Sequence, residues 1–331
     1  MKFLVTGGCG FIGFHLCQKL ISQGHQVLVL DNLSSGSRDN LALKAKLIVA
    51  DVTDSSVVKE MMLNVDACFH LAAIASVEGS SNDWVGSHKV NQQGSVNVFE
   101  AARSCEQRSA IPVVYASSAA IYGDNASIPL LESSQPRPVS AYGVDKLGTE
   151  LHARVAWLVH RVPNVGLRFF NVYGPRQNPD SPYSGVISRF IDRILQGLPI
   201  TIFGDGQQTR DFVYIDDAVN YLTTTMHLLR TKGEIFNVCT GRPTSVLQLA
   251  KTLSMIAREQ LSIDYAKARR GDISASLGDP KKAKLLMGLS SDTSLGKGLT
   301  ATMLWEGLKL HQPASISDAL QPLNTKTLSI G

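Results

Sequence analysis

Seven residues near the start constrain this chain more than any others. Gly7-Gly8-Cys9-Gly10-Phe11-Ile12-Gly13 stands between an apolar run at 3–6 and a helical pattern at 12–22. Glycines at 7, 10 and 13 give the form GxxGxxG. Without Cβ atoms the backbone can turn sharply and come close to a pyrophosphate, whose charge then sits at a helix N-terminus. A second apolar run at 27–30 ends on Asp31, eighteen residues after Gly13. A carboxylate there can accept hydrogen bonds from an adenosine ribose diol and would repel a 2′-phosphate. The nearest Lys or Arg to Asp31 is Arg38, so NAD is favoured over NADP. Asp51-Val52, after a third apolar run, fits an adenine-edge contact, with a plain loop aspartate as the alternative reading of Asp51.

The first half repeats this pattern. Runs at 3–6, 27–30, 47–50, 67–71 and 113–116 read as buried parallel strands, and 12–22, 57–63, 90–104 and 141–159 as helices. The alternation predicts an α/β fold, a doubly wound parallel (Rossmann) sheet, with 165–170 and 235–238 as its later strands. From about Tyr173, prolines and glycines break the alternation, which predicts a second, smaller domain. The expected division is 1–173 with 211–241 for dinucleotide binding, 174–210 with 242–310 for the smaller domain, and a mobile Ser/Thr/Pro-rich tail at 311–331.

Composition narrows the function classes. A net charge of +4 over 331 residues, with no Lys/Arg run of five, argues against a nucleic-acid partner. No apolar stretch approaches the roughly 18 residues of a membrane span. The opening run is cut by Gly7, Gly8 and Gly10 with no cleavage site after it, so a cytoplasmic protein is expected. The five cysteines (9, 17, 68, 105 and 239) lack metal-ligand spacing and read as reduced, mostly buried side chains, with no metal site.

Tyr142 and Lys146 lie four residues apart, on one face of a helix. A free tyrosine has a pKa near ~10, and lowering it to about 7 requires roughly 4 kcal/mol of preference for the phenolate. A nearby ammonium and a positive nicotinamide ring can supply that in a dry site. A strand ends in Tyr115-Ala116-Ser117-Ser118. A hydroxyl at that tip can bond the substrate oxygen being oxidised and relay its proton to Tyr142.

At these residues a resemblance becomes plain. The segments 6–13, 31–36, 70–73, 91–94, 142–146, 168–175, 204–212 and 269–272 resemble the NAD-dependent epimerase/dehydratase branch of the extended short-chain dehydrogenases/reductases. The likeness runs from about Lys2 to Leu310 and includes a resemblance to UDP-glucose and UDP-N-acetylglucosamine 4-epimerases. It implies that the smaller domain is an α/β unit that binds a nucleotide-sugar. It implies Ser118, Tyr142 and Lys146 as the catalytic set, the lysine also binding the nicotinamide ribose. The NAD site would comprise Gly7, Gly10, Phe11, Ile12, Gly13, Asp31, Asn32, Ser35, Gly36, Asp51, Val52, Leu71, Ala72, Ala73, Asn91, Ser117 and Phe169, together with Tyr142 and Lys146. For a UDP-sugar it implies Asn171 and Arg210 and Arg269 at the diphosphate, Thr201 and Phe203 flanking the uracil, and Asp272 at the ribose. Val186 and Ser276 complete that set, with Ser118 and Tyr142 at the sugar. Two arginine forks and an aromatic ring suit a diphosphate and a base.

A departure from the family pattern discriminates among reactions. Family dehydratases resemble Thr-Asp-Glu where this chain has Ser118-Ala119-Ala120, and UDP-glucuronate decarboxylases place a glutamate at the position of Ala120. Alanines neither donate nor accept protons, which leaves reversible oxidation at one carbinol, a C4 epimerisation. A net-redox nucleotide-sugar dehydrogenase and a non-catalytic NAD sensor remain as alternatives. Ser276 falls where strict UDP-galactose/glucose epimerases resemble a tyrosine, so it leaves room for an N-acetyl group, although small residues there also accompany plain hexoses and uronates. The helices at 90–104 and 141–159 match those that pair in family homodimers. Val96, Phe99, Val155, Trp157 and Leu158 would supply the apolar faces, unless these residues face the sheet.

Overall fold

The computed structural model describes residues 1–75, 77–106, 108–178, 185–227, 232–268 and 273–308. The tail expected at 311–331 lies outside the described residues, as do Arg269 and Asp272. Its strands are β1 (Lys2–Thr6), β2 (Gln26–Asp31), β3 (Lys46–Val49), β4 (Ala67–His70), β5 (Val113–Ser118) and β6 (Asn164–Phe169). They continue as β7 (Asn171–Tyr173), β8 (Ile200–Phe203), β9 (Thr209–Tyr214), β10 (Lys232–Val238), β11 (Pro243–Ser245) and β12 (Ile263–Ala266). The helices are α1 (Phe11–Ser22), α2 (Ser55–Met62), α3 (Val77–Asn82), α4 (Trp84–His88), α5 (Gly94–Ala101) and α6 (Ala141–His160). After them come α7 (Val186–Leu195), α8 (Ile215–His227), α9 (Val246–Ala257), α10 (Lys281–Met287) and α11 (Leu295–Trp305).

Seven strands form one parallel sheet in the order β10-β6-β5-β4-β1-β2-β3. The order reverses between β1 and β4, so the carboxyl ends of these strands open a crevice, the usual ligand position of a doubly wound sheet. The strands read as unbroken apolar runs because both faces are covered. Val5, Phe69, Val114 and Leu167 pack on one side with Leu16 and Leu222 from α1 and α8. Leu4, Cys68 and Tyr115 pack on the other with Val58, Phe99 and Ala153 from α2, α5 and α6. A third core, with Ile191, Ile202, Leu249 and Met303, lies among α7, β8, α9 and α11. It is attended by two small sheets, β11-β9-β7 and β12-β8. No helix of the described residues is long and apolar enough to cross a membrane. Cys9, Cys17, Cys68 and Cys239 are buried and Cys105 is exposed, all of them free.

Several element ends differ from the sequence reading, each for a local reason. The carboxylate of Asp54 accepts from the amides of Ser56 and Val57, so α2 starts at Ser55 rather than 57. The run expected at 165–170 is β6, which ends at Phe169, and β7 follows at Asn171 in a different sheet. The helix expected at 90–104 stops at Ala101 and is preceded by α3, α4 and a π-helical turn, Lys89–Gln93. Such a turn carries one extra residue and re-aims the side chains in it. Phe99, a candidate for an intermolecular face or for the sheet, is 4% exposed and packs edge-on against Tyr115 at 5.6 Å.

Candidate active site

The crevice at the switch point is a cavity of about 400 Å³. At its floor the glycine turn is packed backbone against backbone. A Cβ on Gly13 would stand 2.1 Å from the Gly7 carbonyl oxygen, and one on Gly7 2.8 Å from the Ala72 nitrogen. Gly36 performs the same service for the next loop, since its Cβ would meet the Cys9 carbonyl carbon at 2.8 Å. α1 begins after Gly10 with no side-chain cap and no acidic residue in its first turn. Its amide donors and positive dipole end therefore suit a diphosphate. The two oxygens of Asp31 accept from the backbone of Cys9 at 2.9 Å and Leu33 at 2.8 Å. This fixes the carboxylate at the wall where a ribose diol would bond. The residues present thus fit a dinucleotide.

Of the cofactor residues expected from sequence, sixteen line the cavity directly: Gly7, Gly10, Phe11, Ile12, Gly13, Asp31, Asn32, Ser35, Val52, Leu71, Ala72, Ala73, Ser117, Tyr142, Lys146 and Phe169. Three act from behind. Gly36 admits the loop, as described. The side-chain oxygen of Asp51 accepts from Asn32 at 2.7 Å, which positions Asn32 instead of reaching the cavity. Asn91, in the π-helical turn and 1% exposed, accepts from the amide of Ile74 at 2.8 Å and donates to its carbonyl at 3.2 Å. It therefore holds the loop after β4 in place.

The expected catalytic residues converge on the cavity from two elements. Ser118 is the last residue of β5, and its oxygen accepts from the amide of Ala120 at 3.1 Å. Ser140 caps α6 by accepting from Gly143, so Tyr142 is the helix's second residue and Lys146 lies one turn on. Lys146 Nζ donates to the Ala116 carbonyl at 2.9 Å and stands 5.8 Å from the centre of the Tyr142 ring. Burial pushes the Tyr142 phenol above its usual value, and a hydrogen bond with Ser118 pulls it down by less. Burial also lowers Lys146 to about 8, against the charge of Asp145. The expectation was that the neighbouring ammonium lowers the phenol; in this structure the phenol stands raised, and the group that pulls it down is Ser118. Burial dominates both groups, so ionising the phenol needs further positive charge, which an oxidised nicotinamide ring supplies when bound.

Behind the strand tip lies a network that sequence reasoning missed. Glu150, four residues after Lys146, accepts from both the Nε and Nη2 of Arg168 at 2.8 Å and also from Ser117 at 2.5 Å. Arg168 Nη1 continues to the Tyr122 hydroxyl at 2.7 Å. The signal was available: Glu150 shares a helix face with Tyr142 and Lys146, and Arg168 opens the segment 168–175. The network joins β5, β6 and α6, and so fixes Ser118 relative to Tyr142. Arg176, also missed, lines the cavity one residue beyond that segment.

The expected nucleotide-sugar residues are more dispersed. Asn171 lines the cavity, whereas Val186, Thr201, Phe203, Arg210 and Ser276 do not. Four of these gather in one neighbourhood. Arg210 Nη1 donates to the carbonyls of Thr209 at 2.9 Å and Ile273 at 2.7 Å, and the Ser276 amide donates to Thr209 at 3.1 Å. Gln208 Nε2 donates to the Phe203 carbonyl at 2.8 Å, and Thr201 is exposed two residues earlier on β8. Val186 is the first residue of α7.

Comparison with known proteins now bears on this geometry. The NAD dependent epimerase/dehydratase family matches residues 3–239. The UDP-glucose 4-epimerase of Thermotoga maritima, solved with UDP-glucose, is 37% identical with a TM-score of 0.88, covering 92% of this chain and 98% of that one. The UDP-glucose 4-epimerase of Thermus thermophilus, solved with NAD, is 32% identical with a TM-score of 0.84, covering 93% and 99%. A UDP-N-acetylglucosamine 4-epimerase from Methanobrevibacter ruminantium is 33% identical, also with a TM-score of 0.84, covering 92% and 97%.

Proposed function

The chain belongs to the NAD dependent epimerase/dehydratase family, and from that premise we propose that it is a nucleotide-sugar 4-epimerase acting through a transient 4-keto sugar. NAD is the cofactor of the family and is bound in related structures. One observation carries the choice of reaction. Among the described residues lining the cavity, the only carboxylate is Asp31, at the adenosine end. The strand tip offers Ser118, Ala119 and Ala120, and the nearby Glu150 is locked to Arg168. Water elimination needs an acid and a base beside the hexose. Among the described residues at the strand tip and the facing helix, the proton-handling groups that line the cavity are Ser118, Tyr142 and Lys146.

Tyr142 takes the C4-hydroxyl proton, beside or through Ser118, and returns it after the sugar has turned over. Lys146, held by Ala116, keeps a positive charge near the phenol. Bound NAD⁺ supplies a hydride acceptor that becomes the donor for the reverse transfer, so no net oxidation results. On this reading residues 1–173 with 211–241 serve the cofactor, and 174–210 with 242–310 hold a UDP-sugar. Arg210, Arg269 and Asn171 would grip its diphosphate, with Thr201 and Phe203 at the uracil and Asp272 at the ribose. Ser276 leaves space for an N-acetyl group, so UDP-GlcNAc and UDP-GalNAc belong among the substrates. The enzyme is proposed to act as a homodimer through the exposed apolar stripe of Val144, Leu151, Val155 and Leu158 on α6, beside Val96 of α5. Light scattering that gave a 35.8 kDa particle at micromolar concentration would refute the dimer.

The purified protein, incubated with UDP-glucose, UDP-GlcNAc and UDP-glucuronate without added reductant, should produce the C4 epimer of at least one. Stoichiometric NADH with no epimer would instead favour a net-redox dehydrogenase.

A further inference from the structure

Beyond the residues already assigned, one cation lining the cavity has no anionic partner among the described residues. Immediately after β7 the chain crosses back over α1. The Pro175 carbonyl meets His15 Nε2 at 3.0 Å, and Arg176 follows with a left-handed φ of 69°. A non-glycine residue adopts that conformation only where its surroundings demand it. The guanidinium carbon stands 4.2 Å from the centre of the Phe14 ring and 5.7 Å from that of Trp305. Its Nη1 donates to the Asp39 carbonyl at 3.2 Å and to the Asn40 side-chain oxygen at 2.9 Å.

Each of these partners is neutral. Among the described residues no carboxylate lies within ion-pair distance of Arg176. Arg176 nevertheless lines the same cavity as Gly10, Phe11 and Asn40. It stacks on Phe14, one helical turn beyond the amides of the phosphate turn. A half-buried guanidinium, placed by two rings and two acceptors and with no counter-charge among the described residues, suits a diphosphate.

We infer that Arg176 is a clasp for the pyrophosphate of the bound dinucleotide, reaching it from the strand that leads into the smaller half of the molecule. Its anchorage on α1 and on the loop at 38–40 favours the cofactor's diphosphate over that of the sugar nucleotide. The inference rests on NAD as the resident cofactor. It gives the enzyme a means of keeping NAD while the sugar nucleotide exchanges, because the sugar-side arginine Arg210 belongs to a separate neighbourhood.

The test compares full-length wild type with Arg176→Gln. NAD is titrated at low and high salt, UDP is titrated separately, and melting is recorded without ligand. Losing one charge-assisted contact should weaken NAD roughly 10- to 100-fold and flatten its salt dependence. UDP affinity should stay within about twofold of wild type, and Arg176→Lys should restore the salt slope. A merely structural interlock would lower melting and leave that slope unchanged, so equal slopes overturn the inference even if the variant is less stable. A loss confined to UDP overturns it too. A wild type that binds no NAD would refute NAD dependence itself, and this inference with it.

Discussion

At the phosphate turn one added methyl group would collide with backbone at 2.1 Å, whereas on β8 Thr201 stands exposed and on β9 Arg210 donates to the carbonyls of Thr209 and Ile273. The first region is held in place by several hydrogen bonds. Asp31 is pinned by two amides, Asn91 grips the loop above, and Glu150 ties the catalytic strand to the catalytic helix. The second gathers its residues loosely around Thr209, outside the main cavity. The contrast suits a reaction in which one ligand must not move and the other must turn over. A retained dinucleotide calls for a rigid cradle, and a sugar that presents both faces calls for anchorage only at its nucleotide.

The largest effects should come from the rigid side. Tyr142→Phe removes the proton-transfer group and should lower turnover by about 10²- to 10⁴-fold while leaving NAD binding intact. A variant keeping more than a tenth of the wild-type rate would show that Tyr142 is not the base. Glu150→Ala strands the Arg168 guanidinium, 4% exposed, without its partner. Losing one member of a buried pair costs about 3–5 kcal/mol, readable by denaturant unfolding. A loss below about 1 kcal/mol would mean the cradle is less rigid than its hydrogen bonds imply.

The loose side should show selective effects. Ser276→Tyr is expected to cut kcat/KM for UDP-GlcNAc roughly 5- to 150-fold, since overpacking commonly costs ~1–3 kcal/mol. UDP-glucose should be largely spared, and equal losses for both sugars would remove Ser276 from any account of specificity. The smallest effect is one of pH. Lys146 carries its charge below about 8 and loses it as pH rises through that value. The electrostatic support of the phenolate then disappears, so the rate should halve near pH 8 and decline further above it. In Lys146→Met the alkaline limb should vanish along with most of the rate. A wild-type profile flat to pH 10 would contradict this assignment.

Legibility followed the same divide. GxxGxxG, Asp31 and the Tyr142/Lys146 spacing were readable because each is a short-range pattern with one geometric solution, and the parallel sheet followed from unbroken apolar runs. Asn91 and Asp51 were recognised as site residues, but their role in positioning Ile74 and Asn32 depends on contacts across the fold. Phe99 is open in the sequence between a dimer face and the sheet, because an apolar residue on a helix carries no sign of which one it faces; it packs on the sheet. Arg168 and Glu150, eighteen residues apart on different elements, meet only once β6 lies beside β5. Arg176 was hidden for a similar reason, its partners Phe14, Asn40 and Trp305 being scattered along the chain.

The central claim is that a hydride leaves C4 and returns to it on the same molecule of retained cofactor. It is tested most directly with UDP-glucose deuterated at C4, incubated with the purified enzyme in ordinary water without added NADH. The account predicts a C4 epimer that keeps the deuterium at C4, with no label in solvent and none on free NADH. Washout of the label to solvent, or its accumulation on released NADH beside a ketone product, would contradict it.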